Sequence, residues 1–359
     1  MTNASSTAER TVGLDVGDRH IHACFLGPEG TVEEEARFSA TPDSLRRRFT
    51  NLEPHRVVME VGLHSPWMSR LAAELGHEVY VANARRLRAI YLNENKSDRV
   101  DAEYLARIGR LDPALLFPLR HRSVQTQADL TLLRSRDALV RARTALVNFV
   151  RGQVKSAGGR IPSCDARYFA RKAPAHLPTT PETQLSPILG AITELDARIA
   201  SYSEEILRMA EQRHPECALL RQIPGVGPLT AACFVLTIED PARFPNPRAV
   251  GSYLGLCPRR DESGSQAPQL RITKCGDQNL RRLLVGAAHH ILGPFGPDCD
   301  LRRWGLTLAE RGGKNAKKRA IVAVARKLGV LLLHLWVTGE VYEPLRRGRV
   351  PAEPVPNPA

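Results

Sequence analysis

Cysteine is sparse in this chain: seven residues in 359, odd in number, widely scattered, and with no C-x-x-C pair. That excludes a disulfide framework or a zinc knuckle as the organising device and points to a reducing compartment. Aromatic residues are only 5% of the total, too few for a protein that stacks single-stranded bases on its own rings. Long apolar runs are also missing. The stretch Leu328–Val337 is too short to span a bilayer, and no signal peptide opens the chain. The expectation is a soluble cytoplasmic protein.

Positive charge is abundant but unevenly placed. The formal net charge is +13, yet residues 1–120 carry 16 Lys and Arg against 17 Asp and Glu. Residues 121–359 carry 35 against 21 and hold all of the excess. A basic body joined to an acidic region suits a protein that grips a phosphate backbone and presents metal ions to it. The plainer alternative is a soluble enzyme with a solvated, arginine-rich face.

Strand and helix signals alternate over residues 11–108. Thr11–Asp15, His20–Leu26 and Thr31–Ser39 read as strands, with Gly27-Pro28-Glu29-Gly30 as the turn between the second and third. A helix starts near Thr41. Strand Arg56–Val61, helix Pro66–Leu75, strand His77–Ala82, helix Ala84–Leu92 and helix Arg99–Ile108 follow. Hairpin-linked strands followed by alternating strands and helices predict an α/β, RNase H-like domain over 1–118. Residues 119–213 predict a helical, coiled-coil linker. Leu132, Leu139 and Leu146 recur every seven residues, beside Leu133, Val140, Val147 and Val154. Ile188, Ile192, Leu195, Ile199, Tyr202, Ile206 and Met209 form a second seam. The two helices either fold back as an antiparallel hairpin or pair between subunits. Residues 214–349 predict a mainly α domain, and the proline-rich 350–359 a disordered tail.

Two carboxylates interrupt apolar strands: Asp15 after Thr11-Val12-Gly13-Leu14, and Glu60 after Val57-Val58-Met59. A lone buried carboxylate is costly without positive charge beside it. Magnesium, which favours a few carboxylates together with substrate phosphates, would supply that charge. Asp98 and Asp101 stand three apart at a helix start, on one face, close enough to share a metal. Alone, the pair also fits a capping arrangement with Asp98 as N-cap. Joined to Asp15 and Glu60, it resembles a two-metal phosphoryl-transfer centre.

The second candidate region is basic. Arg259-Arg260 leads into Asp261-Glu262-Ser263-Gly264-Ser265, and Arg271, Lys274, Arg281 and Arg282 follow. These cations could cradle a phosphate around an exposed Ser263, although an isolated Ser-Gly is more often a surface loop. Lys317 and Lys318 join them as expected nucleic-acid contacts. An unactivated serine hydroxyl needs a base or a metal to act as a nucleophile. Upstream, Ile223-Pro224-Gly225-Val226-Gly227 forms a hydrophobic turn between helices. Through Gly225 and Gly227 it can aim backbone N–H groups at a phosphate, or it can be a plain helix–helix turn.

Taken together these motifs resemble the DEDD transposases of the IS-one-ten family. The match runs through Asp15, Glu60, Lys96-x-Asp98-x-x-Asp101-Ala102 and the 223–227 hairpin. It continues through Tyr253-Leu254-Gly255-Leu256-x-Pro258, Ser263-Gly264 and Lys274-x-Gly276 with Leu280-Arg281-Arg282. The resemblance covers nearly the whole chain in order. It implies a RuvC-like domain with a Mg²⁺-binding tetrad of Asp15, Glu60, Asp98 and Asp101, joined by a coiled coil to a transposase domain with a helix-hairpin-helix. It implies Ser263 as the nucleophile that forms a phosphoserine link with DNA, with Ser265 as the neighbouring alternative. It also implies a structured bridge RNA that pairs with donor and target DNA, and a homotetramer whose active sites combine two subunits. A prokaryotic, nucleoid-associated protein follows. Two other readings stay open: a RuvC-like metal-dependent nuclease in which water attacks, and a non-catalytic nucleic-acid scaffold.

Overall fold

Residues 10–87, 97–177, 179–261, 268 and 270–346 are described by the structure, a computed structural model, with backbone alone at 179–183. They separate into two compact units, Met1–Ser123 and Val124–Ala359.

The first unit is built on a five-stranded sheet. Strands β1 (Thr11–Val16), β2 (His20–Leu26) and β3 (Val32–Ser39) form an antiparallel meander. Strands β4 (Arg56–Glu60) and β5 (Glu78–Ala82) run parallel to β1, giving the order β3-β2-β1-β4-β5. That is the order expected of an RNase H-like sheet. The central strands are apolar on both faces, so both faces must be covered. Helices α1 (Pro42–Phe49) and α2 (Ser65–Glu74) cover one face. There Leu45, Phe49, Met68 and Leu71 pack with Val12, Leu14, Ile21, Phe25, Val57 and Met59. Helix α1 starts where Thr41 accepts the Ser44 amide and Pro42 occupies the first turn, as N-cap chemistry dictates.

Helix α3 (Asp98–Leu111) lies on the opposite face. Its Ala102 and Ala106 pack against Cys24 and Leu26, and Leu105 packs against Val58 and Ala82. The closest approach is at Gly13. A Cβ there would meet the Ala102 carbonyl oxygen at 2.0 Å and the Ala106 nitrogen at 2.5 Å, so β1 and α3 touch backbone to backbone. The helix expected over 84–92 differs. Residues 84–86 form a turn in which the Arg86 and Leu87 amides bond the Asn83 carbonyl, and 88–92 lie outside the described residues.

In the second unit, helices α4 (Val124–Ser156) and α5 (Thr179–Arg213) form an antiparallel hairpin within one chain. Leu130 and Leu133 share a core with Ile206 and Met209 at one end. Val150 and Val154 pack with Leu185, Leu189 and Ile192 at the other. The stretch between is held by polar pairs. Arg143 donates to Asp196 at 2.6 Å, with both side chains under one-fifth exposed, and Arg136 donates to Ser203 at 2.8 Å. Near the first end, buried Asp129 accepts from Arg213, His214 and Gln125. Burial pushes its carboxyl up, but those hydrogen bonds outweigh it and hold the group below the usual carboxylate range.

Further helices of this unit include α6 (Glu216–Leu220), α7 (Pro228–Ile238), α8 (Gln278–Leu292), α9 (Asp300–Glu310) and α10 (Ala316–Thr338). Residues Thr230–Ile238 of α7 are all buried. The apolar stretch read as Leu328–Val337 lies in the second half of the 23-residue α10, which by length and composition alone could cross a membrane. Its Val324, Leu328, Leu332 and Leu333 instead join α7 and α8 in the core of this unit.

Candidate functional site

Asp15 is the fifth residue of β1 and Glu60 the last of β4. The parallel register pairs Gly13 with Val58 and Leu14 with Met59, so its next step sets Asp15 beside Glu60. Alternation along the strands turns both toward the face that Gly13 opens to α3. On α3, Asp98 and Asp101 occupy the first turn, and Asp101 is buried. The capping alternative for Asp98 does not hold: Ser97 is the N-cap, its hydroxyl accepting the Val100 amide at 3.3 Å. Asp98 is already inside the helix. The close contact at Gly13 therefore delivers the helical pair to the strand pair.

The electrostatics report that convergence. The Asp15 carboxyl is pushed up to about 6, first by burial and then by the charges of Asp98, Asp101 and Glu60. His22 pulls the other way. His22 stands directly across from Asp15 in the β1–β2 register, and its Nε2 lies 3.5 Å from an Asp98 oxygen. This histidine was not singled out in the sequence. Folding the hairpin about Gly17–Arg19 and pairing residues outward would have found it. Among the described residues, no three His, Cys, Asp or Glu side chains close into a finished metal site. The charges of Asp98, Asp101 and Glu60 all act on Asp15, and grouped carboxylates are the donor type that a divalent cation takes.

Ser263, Gly264 and Ser265 lie outside the described residues, as do Glu262 and Lys96. The frame around that loop is described. Pro258 bridges Ile272, the Arg259 amide bonds the Arg271 carbonyl at 2.9 Å, and the Thr273 amide bonds the Cys257 carbonyl at 2.9 Å. A short two-stranded ladder thus closes the base of residues 260–270. Behind it Gly255, at φ +67°, approaches Cys275 so closely that a Cβ would sit 2.1 Å from its carbonyl oxygen.

The basic residues divide into two groups. Arg259, Arg260, Arg271 and Lys274 are exposed on the frame, and Lys317 and Lys318 are exposed in the first turn of α10. Arg281 instead donates to the carbonyls of Leu254 and Cys275, tying α8 to the frame. Arg282 pairs with Asp137 on α4 and donates to Asn279. Both of these hold structure together. The 223–227 turn joins α6 to α7, with Gly225 at φ +85°, the Val226 amide bonded to the Ile223 carbonyl, and Gly227 as the N-cap. The turn rests on α8 near Ala287 and His290.

Two family models match the chain. A DEDD transposase model of IS110 elements covers residues 12–158, and one described as "Transposase IS116/IS110/IS902 family" covers residues 217–298. The transposase for insertion sequence element IS1111A of Coxiella burnetii is 32% identical over 70% of this chain and 70% of its own length. A probable family 20 transposase of Pseudomonas aeruginosa is 29% identical over 84% of this chain and 89% of its own. A pilin gene-inverting protein of Moraxella bovis is 23% identical over 88% and 92%. With its carboxylates on an RNase H-like sheet and both family segments in order, this chain belongs to the IS110 family of insertion-sequence transposases, enzymes that cut and rejoin DNA.

Proposed function

We propose that this transposase exchanges DNA strands through a Mg²⁺-dependent acidic centre and a covalent phosphoserine intermediate, directed by a structured bridge RNA. The family's DEDD domain carries dependence on a divalent metal. Asp15, Glu60, Asp98 and Asp101 would hold it. Bound there, the metal would offset negative charge on the phosphodiester and on the oxygens that attack and leave. The chain's own part is placement. The sheet fixes Asp15 and Glu60, α3 fixes Asp98 and Asp101, and His22 orients Asp98. The observation that carries this reading is the raised Asp15 carboxyl, lifted by burial and by the charges of Asp98, Asp101 and Glu60.

In the cleavage step Ser263 is the nucleophile. Its Oγ–P bond forms, the bond from phosphorus to the leaving sugar oxygen breaks, and that oxygen takes up a proton while the serine hydroxyl gives one up. The link preserves the energy of the phosphodiester, so rejoining needs no ATP. Exposed Arg259, Arg260, Arg271 and Lys274 on the ladder grip the backbone around the serine loop. Gly225 and Gly227 form a helix-hairpin-helix contact to phosphate, and Lys317 and Lys318 add further contacts. Base pairing with the bridge RNA selects donor and target while the protein reads shape and backbone. The coiled-coil hairpin of α4 and α5 joins subunits into a tetramer that unites the acidic centre of one with the serine loop of another. The protein acts in the cytoplasm.

The test is trapping. A stalled reaction leaves DNA covalently attached to protein, and Ser263→Ala removes both the adduct and the cleavage. A second reading, hydrolysis by water at the acidic centre, draws on the family model being named for its carboxylates. Cleavage at full rate in Ser263→Ala would establish it and exclude the serine step.

A further inference from the structure

Beyond Glu60 the chain leaves β4 through Val61-Gly62-Leu63-His64 and enters α2 at Ser65. This turn is fixed from within. The Ser65 hydroxyl donates to the Gly62 carbonyl and accepts the Gly62 amide, both at 2.9 Å, and Ser65 is buried. His64 occupies the N-cap position of α2, but its side chain does no capping. Its Nδ1 accepts the indole N–H of Trp67 at 3.1 Å, with the rings edge to face at 6.0 Å. A ring nitrogen that accepts a hydrogen bond carries no proton, so the proton of this imidazole sits on Nε2. Among the described residues nothing accepts from that Nε2–H. Trp67 thus sets both the tautomer and the orientation of a half-buried donor.

A donor of this kind fits an anionic oxygen and is unsuited to act as a base. Position selects the anion. Asp15 and Glu60 stand at the carboxyl ends of parallel strands, and the 61–64 turn departs from that same end. Four residues of chain reach at most about 14 Å, which keeps His64 within a few nucleotides of any phosphodiester lying against Glu60. Leu63, 97% exposed on the same turn, offers an apolar face to a sugar.

We infer that His64 is a phosphate-binding residue of the DNA strand being cut: its Nε2–H, set by Trp67, donates to a non-bridging oxygen of a phosphodiester flanking the scissile one. The inference rests on the reading of the acidic centre as the site of cutting.

The test uses the full-length protein with the transcript of its own element and a duplex carrying the element junction, with Ca²⁺ replacing Mg²⁺. Each phosphate around the cut is replaced in turn by a methylphosphonate. Wild-type affinity is expected to fall about tenfold at the contacted position. His64→Ala is expected to bind unmodified DNA about tenfold more weakly and to become indifferent to the methylphosphonate at that position alone. Trp67→Phe should fall between the two, and His64→Gln, which keeps an N–H donor, should recover part of the loss. If His64→Ala keeps the wild-type sensitivity at every position, or changes only the melting temperature, the proposal is overturned. Asp15→Asn separates the two ideas: with Mg²⁺, persistent cutting by that variant removes the acidic-centre reading whatever His64 does.

Discussion

The acidic centre and the serine-loop frame face opposite electrostatic problems. In the first unit, carboxylates from two strands and one helix are pressed together until one of them resists ionising. In the second, cations surround a short ladder, and the fold spends some of them on itself. Arg281 and Arg282 bind carbonyls and a carboxylate, while Arg259, Arg260, Arg271 and Lys274 remain exposed. Grouped carboxylates suit a divalent cation. A surface that must take a polyanion keeps a surplus of the other sign. Neither arrangement is optimal for stability.

The contrast can be broken most severely at Gly13. Gly13→Ala places a Cβ into the backbone of α3 and should push the Asp98–Asp101 turn away from Asp15. A loss of about 3 kcal/mol or more in unfolding free energy is expected, with cleavage abolished, read by thermal melting and strand cleavage. A variant that melts and cuts like wild type would refute the account of how the centre is assembled.

Asp15→Asn sharpens the comparison by removing the strained charge alone. Cleavage should fall on the order of 10²–10³-fold, while the metal-free protein melts about 2–4 °C higher. The pH dependence has a definite sign. The folded value, about 6, lies above the ordinary 3.8, so the stability Asp15 contributes is fully present below pH 3.8 and lost as pH rises through 6. Metal-free melting curves should show that decline, and Mg²⁺ or Asp15→Asn should flatten it. The smallest effects separate the two kinds of arginine. Arg259→Ala should lower the salt dependence of DNA binding by about one unit of slope and leave the melting temperature in place. Arg282→Ala should lower the melting temperature and leave the slope in place.

Strand His20–Leu26 was legible to the residue because an alternating apolar pattern bounded by turns has few other solutions. Asp15 and Glu60 stood out in the sequence for a related reason, since a carboxylate inside an apolar strand breaks its own pattern. His22 did not, because its meaning depends on the residue across the hairpin. Ser97 took the cap that the alternative reading gave to Asp98, one step earlier, where the two residue types are equivalent as caps. The seam at Ile188–Met209 announced a paired helix but left its partner open, and α4 of the same chain supplies it. The serine-loop motif carries no periodic signal at all. Only its resemblance to a family drew attention to it.

The Arg143–Asp196 pair midway along the α4–α5 hairpin has a consequence for how such proteins can change length. Slipping one arm by a heptad would break the pair and set one of its ions against hydrocarbon, Arg143 opposite Leu189 or Asp196 opposite Val150, so the two arms are held in step. An insertion confined to one arm should therefore be rejected, whereas seven residues added to both, on the same side of the pair, extend the rod by about 10 Å. Relatives with longer or shorter rods should differ by matched heptads.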